Sequence, residues 1–174
     1  MSHKENWLEK QFDFDFPVSK YNEFLQFLRE TPMRLETAVE TLPKEVLIRR
    51  DADSWSIQEN TGHFLATESL FLGRLDDYEN NAPVLRPARF EDNPTDQAYF
   101  NSRDIFLILA QFREQRRHYI ARLEGMQPEE FDKAILHPRL NIPMRLCDML
   151  LFHMEHDRHH LARINELREL WQVD

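Results

Sequence analysis

His153, His156 and His160 occupy positions that an amphipathic helix ordinarily fills with apolar side chains. Leu146, Met149, His153, His156, His160, Ile164, Leu167 and Trp171 succeed one another at helical intervals, the inward stripe of a helix. Imidazoles one turn apart on one face are rooted about 5–6 Å from each other, close enough to share a metal ion. Spacing alone leaves three pairings open: His153 with His156, His156 with His159, and His156 with His160. His153 with His160 is weaker, because roughly 10 Å of helix rise separates them. A stable zinc-like ion wants at least three protein ligands, so another element must contribute. His63 is the best candidate, sharing a helical face with Glu59, Thr67, Leu70 and Arg74 that would turn it inward.

Three neutral imidazoles leave a divalent ion with its full charge and open coordination positions, the arrangement of a reactive site. Such an ion lowers the pKa of bound water towards about 7, or stabilises a thiolate at neutral pH. One chemistry is hydrolysis of a small amide or ester, the other activation of a low-molecular-weight thiol. The H-E-x-x-H pattern that supplies a zincin with its general base is absent, which argues against a peptidase in particular. Zinc or nickel suits three histidines best, with iron a further candidate for the single ion.

The elements that must position these residues are helices. The chain has only three glycines and no sustained two-residue alternation, so a β-rich fold is not expected. A first helix is predicted from about Val18 to Leu42, with Pro32 kinking or interrupting it and Pro43 closing it. A second begins at Ser56, where Glu59 completes a capping box, and runs to about Tyr78. Pro83, Pro87 and Pro94 then impose an extended crossing. A third helix starts between Thr95 and Asp104 and ends at Gly125, which should adopt the left-handed conformation that stops helices. After a linker from Gln127 to Pro143, a fourth runs from near Met144 to about Trp171. The expected fold is all-α, a four-helix bundle with long crossover connections, forming one domain over residues 1–174 with residues 1–17 as an N-terminal arm. Phe12, Phe14 and Phe16 alternate with polar residues, so this segment either packs on the bundle or buries itself in a homodimer.

Composition sets outer bounds. The 174 residues carry a formal charge of −9, with 41% hydrophobic residues, enough for one core. An acidic balance argues against nucleic-acid binding, which needs clustered cations to displace counterions. Apolar runs are far too short to span a membrane. The single cysteine, Cys147, precludes an internal disulfide, and the charged N-terminus lacks a signal-peptide core, so a cytoplasmic location is expected.

The segment WSIQENTGHFLATE, Trp55 to Glu68, followed after a long gap by LLFHMEHDRHHLARI, Leu150 to Ile164, resembles the DinB/YfiT-like superfamily. The resemblance spans most of the chain. It implies a four-helix bundle with a divalent metal on a histidine after the tryptophan-containing helix start and on a late H-x-x-x-H pair, here His63, His156 and His160. It also implies a small-molecule substrate and, from some relatives, thiol-dependent S-transfer or isomerisation. This chain departs from the pattern at Asn141, where members often carry glycine, and at Ala162 and Arg163, where some carry Gly-Gln.

Other readings of the same residues are less specific. His153 is either a residue oriented towards the site or a satisfied core histidine, and His159 lies on the flank of the stripe. His3, His118 and His137 have no partner pattern, and His118, near Glu114, Arg117 and Arg122, belongs to a solvated face. Cys147 lies off the ligand face, and Glu59 is a cap rather than a base. Arg74 is either a surface residue or a clamp for a substrate carboxylate. A different class of function, a non-catalytic metal-binding module in a stress response, fits the same three histidines.

Overall fold

The computed structural model describes residues 7–89 and 93–171; His3, the rest of residues 1–6, residues 90–92 of the first linker and residues 172–174 lie outside them. Four long helices, α1 (Tyr21–Val39), α3 (Ile57–Glu79), α5 (Ile105–Glu124) and α6 (Leu146–Leu170), form the predicted bundle. Two single-turn helices, α2 (Lys44–Leu47) and α4 (Pro94–Gln97), sit in the connections. α1 packs on α5 and α6, and α3 packs on the same two helices. Ion pairs Arg29–Glu124 and Arg113–Glu36 run α1 antiparallel to α5. Contacts between His63 and His156 at one end and between Tyr78 and Met144 at the other run α3 antiparallel to α6. Pairs Glu68–Arg116 and Glu79–Arg122 make α3 and α5 parallel neighbours. A parallel pair cannot be joined by a tight turn, and the long first linker is the consequence.

α1 buries Phe24, Leu25, Leu28, Pro32, Leu35 and Val39 along one face. Pro32 does not interrupt it. An interior proline frees the carbonyl four residues back, here that of Leu28, and Arg116 Nη1 of α5 donates to this oxygen at 2.9 Å. The helix therefore tolerates proline because a buried guanidinium satisfies the orphaned acceptor. Asp104 caps α5 by accepting from the Phe106 amide at 2.8 Å, while Thr95 falls within α4. Gly125 does not take the left-handed conformation: its φ is −78°. Pro128 and the extended Gln127 before it, at φ −79° and ψ 150°, stop the helix instead.

The second linker holds a feature that the helical pattern does not announce. β1 (Ala134–Leu136) and β2 (Pro143–Arg145) pair antiparallel, and Val84 of the first linker bridges to Leu136. Met144 thus belongs to a strand, and α6 starts at Leu146. Asn141 sits in the hairpin loop at φ 54°, a left-handed conformation that asparagine tolerates and glycine takes freely. The N-terminal segment lies on the bundle as extended chain, with Phe12, Phe14 and Phe16 turned inward and the residues between them exposed. Arg145 Nη2 fastens it by donating to the carbonyls of Phe14 and Phe16 at 2.9 and 3.2 Å.

Candidate metal centre

The capping box predicted at the start of α3 forms: Ser56 Oγ accepts from the Glu59 amide at 3.1 Å, and Glu59 accepts from the Ser56 amide at 2.9 Å. Glu59 also pairs with Arg50, so it serves the helix end. From this fixed start, Asn60 and His63 face α6. A Cβ on Gly62 would run into the ring of Phe100. Glycine at this position therefore makes room for an aromatic side chain against the start of α3.

His63, His156 and His160 come together, each offering a ring nitrogen, with those atoms within 4.8 Å of one another. His63 Nε2 and His156 Nε2 are 3.0 Å apart. The outer nitrogens have their own contacts. His63 Nδ1 lies 2.7 Å from Thr95 Oγ1 of α4. His160 Nδ1 lies 3.1 Å from Asn60 Oδ1. The Asn60 amide nitrogen donates to the carbonyls of Trp55 and Ser56 at 3.2 and 2.9 Å, which fixes Oδ1 towards His160. Since Oδ1 can only accept, His160 must donate through Nδ1, leaving the Nε2 lone pair bare. His156 Nδ1 faces Asp157 Oδ1 at 3.9 Å. Burial, followed by repulsion from neighbouring imidazoles, holds His63 and His160 well below the ordinary histidine pKa. His160 thus presents a bare Nε2 to the point where His63 and His156 also bring Nε2, the ring atoms that a divalent ion would take as ligands.

Aromatic rings wall the cluster. Trp55 lies 4.8 Å from His63 and 6.1 Å from His160, its Nε1 donating to Asp96 at 2.8 Å. Trp7 meets His156 edge-on at 5.4 Å. His156 and His160 are buried, whereas His63 keeps partial exposure.

His153 does not join the three. Its ring stacks on Phe71 at 3.5 Å, and its Nε2 lies 3.0 Å from Arg116 Nη2, so it accepts from a guanidinium that can only donate. Arg116 is fully buried and pairs with Glu68 at 2.7 Å and Asp157 at 2.8 Å. Burial works to lower the Arg116 pKa, but the two carboxylates outweigh it and raise it. Arg116 stands in a charged run that reads as a solvated face, so sequence periodicity misses it; so do Asn60 and Thr95, whose roles depend on contacts across the fold. Cys147 is buried, and burial pushes its thiol up to about 11, away from nucleophilic character. His118 is exposed, as expected. Arg74 is buried, which removes the surface reading, and His137 is buried beside Phe152.

A helical bundle that brings three imidazoles to one point defines a class, and the chain belongs to the DinB superfamily, whose model matches residues 28–164. No curated protein matches it. Among solved structures it is similar to YfiT from Bacillus subtilis, described as "a probable metal-dependent hydrolase with an unusual four-helix bundle topology". That match has a TM-score of 0.81 and 19% identity, and covers 95% of each chain. It is also similar to a mycothiol-dependent maleylpyruvate isomerase, with a TM-score of 0.66 and 8% identity over 85% of this chain and 60% of that one. Likeness at these identities speaks to the fold, and the bundle expected from helical spacing is the fold found. No helix among the described residues is long and apolar enough to cross a membrane.

Proposed function

We propose that His63, His156 and His160 hold one divalent metal ion through Nε2 and that the chain is a metal-dependent enzyme hydrolysing a small amide or ester. The observation that carries this reading is the convergence of three ring nitrogens from two helices within 4.8 Å, with the His63 and His156 Nε2 atoms 3.0 Å apart. In the metal-free chain one of the two rings can donate its Nε2–H to the other, and a divalent ion takes the place of that proton. Zinc and nickel suit the site, and iron fits the same ligands. Bound there, the ion supplies Lewis acidity to a carbonyl and acidifies water or a thiol. The chain itself fixes the ring planes through Thr95 and Asn60, and excludes bulk water with Trp55 and Trp7.

Activation of a low-molecular-weight thiol is the second reading, and one observation favours it. Glu59 is engaged by Ser56 and Arg50, and Glu68 and Asp157 by Arg116, so these carboxylates are not free to act as a base for water. A thiol needs only to lose its proton, and the similar bundle of a mycothiol-dependent isomerase accords with that use. The deciding experiment is elemental analysis of untagged protein beside a His156→Ala/His160→Ala variant, followed by ester, amide and thiol-transfer assays with zinc, nickel and iron. One ion per chain that disappears in the variant, with turnover that follows it, supports the enzyme; an ion without turnover supports the non-catalytic module. Absence of metal after reconstitution sinks both.

A further inference from the structure

About two helical turns along α6 from His156, a second polar cluster gathers around Met149 and Phe152. Arg74 of α3 is 2% exposed; its Nε donates to the Arg86 carbonyl at 3.2 Å and its Nη1 points at Met149 Sδ at 3.7 Å. Arg139 of the hairpin loop holds its guanidinium 5.8 Å from the Phe152 ring. Its Nη1 donates to the Leu8 carbonyl at 3.0 Å, while its Nη2 is buried without a partner. His137, at the base of the same loop, is 1% exposed with its ring 5.5 Å from Phe152.

The tautomer of His137 is dictated locally. Its Nδ1 accepts from the Leu140 amide at 3.1 Å, so the proton sits on Nε2, and that Nε2–H is buried without an acceptor. Burial first, then the charges of Arg74 and Arg139, hold the imidazole down to about 4, so it stays neutral. Among the described residues no carboxylate pairs with Arg74 or Arg139. Asp77, whose charge reaches Arg74, is engaged by Arg86 at 2.8 Å. Two buried donors, Arg139 Nη2 and His137 Nε2–H, therefore share one apolar corner with the Arg74 charge and have no acceptor, and native proteins rarely leave buried donors so. The complement that is wanted is an anion.

We propose that Arg74, His137 and Arg139 form a cradle for the carboxylate of a small-molecule ligand. The donors left over, Arg139 Nη2 and His137 Nε2–H, with the charge of Arg74 behind them, suit the two oxygens of a carboxylate. A phosphate dianion brings more oxygens than there are donors and more charge to desolvate among Phe152 and Met149. Cradle and histidine cluster lie under one cover: Trp7 packs edge-on against Phe152 at 5.2 Å and against His156 at 5.4 Å. Met149 and His156 are separated by roughly 10 Å of helix rise, the span between carboxylate and reacting group in a ligand that reaches both. That span rests on the metal-dependent reading above; the cradle does not.

The test is a titration of full-length, metal-free, ¹⁵N-histidine-labelled protein with acetate and with succinate at constant ionic strength, with chloride, sulfate and phosphate as controls. The expected result is a saturable shift of the His137 Nε2 resonance with the carboxylates, weakened at least ten-fold in Arg139→Gln and in Arg74→Lys. Arg139 is half-buried on a loop, so its variant carries the test if Arg74→Lys fails to fold. An absent response, one shared equally by chloride, tighter binding of sulfate or phosphate, or unchanged affinity in the variants overturns the cradle. A chain that binds acetate but no metal keeps the cradle and loses the enzyme; a chain with metal-dependent turnover that ignores acetate does the reverse.

Discussion

Nε2 of His63 on α3 and Nε2 of His156 on α6 stand 3.0 Å apart, within hydrogen-bond reach, so the two antiparallel helices meet ring to ring at this point. A cation at that point would replace the shared proton and tie the helices together. Metal that binds only the folded chain stabilises it by about 2.7 kcal/mol at a hundred-fold excess over Kd. For a chain of this length that is a rise of roughly 5–10 °C in Tm. Thermal melts with and without zinc or nickel should show such a rise in the wild type and none in His63→Ala, with helical circular dichroism retained in both.

Asn60 should act on metal affinity without touching the metal. Its Oδ1 sets the tautomer of His160, and its amide nitrogen is anchored on the carbonyls of Trp55 and Ser56. Loss of such a partner typically weakens metal binding 10–100-fold. Competition with a chromogenic chelator should place Asn60→Ala in that range while leaving the saturating stoichiometry at one ion per chain. An unchanged affinity would show that packing alone orients His160.

How much of this was legible in the sequence follows from how local each feature is. The histidine seam stands out because polar residues break a helical hydrophobic period, and Ser56 and Glu59 announce a helix start through contacts three residues apart. Asn60, Thr95 and Arg116 carry no such signal, because their partners lie on other elements. Two of these partnerships join residues with no sequence pattern in common: Thr95 with His63, and Arg116 with a carbonyl released by Pro32. Gly125 misled for a related reason: a glycine at a helix end permits the left-handed turn, but Pro128 had already made it unnecessary. The strands of the hairpin, three residues each, are too short to display a period at all.

Arg116 predicts a large stability effect remote from the metal. Its guanidinium separates Glu68 from Asp157 and satisfies the Leu28 carbonyl in a fully buried setting. Arg116→Met would leave two buried carboxylates facing each other and an acceptor unpaired, and breaking a buried ion pair from one side costs about 3–5 kcal/mol. Urea unfolding should report a loss of that size. Adding Glu68→Gln and Asp157→Asn should recover part of it, because the stranded charges are then gone.

Acid should destabilise the metal-free protein through its histidines. In the folded chain His137 is held down to about 4, and His63, His153 and His160 well below the ordinary value, burial being the largest cause in each case. In the unfolded chain all of them titrate near 6.5. Between about pH 6.5 and pH 4 the unfolded chain therefore binds protons that the folded chain refuses, so stability is complete above that window and falls as pH falls through it. Asp157, which burial alone would raise but Arg116 holds below the ordinary carboxylate range, adds loss of the same sign only further into acid. Urea midpoints at pH 7.5, 6 and 5 should decline in that order, and His137→Gln should flatten part of the slope. Metal affinity should fall over the same window, since protons compete for the same nitrogens. A midpoint level from pH 7.5 to 5 would mean that the imidazoles take up protons in the folded state as readily as in the unfolded one.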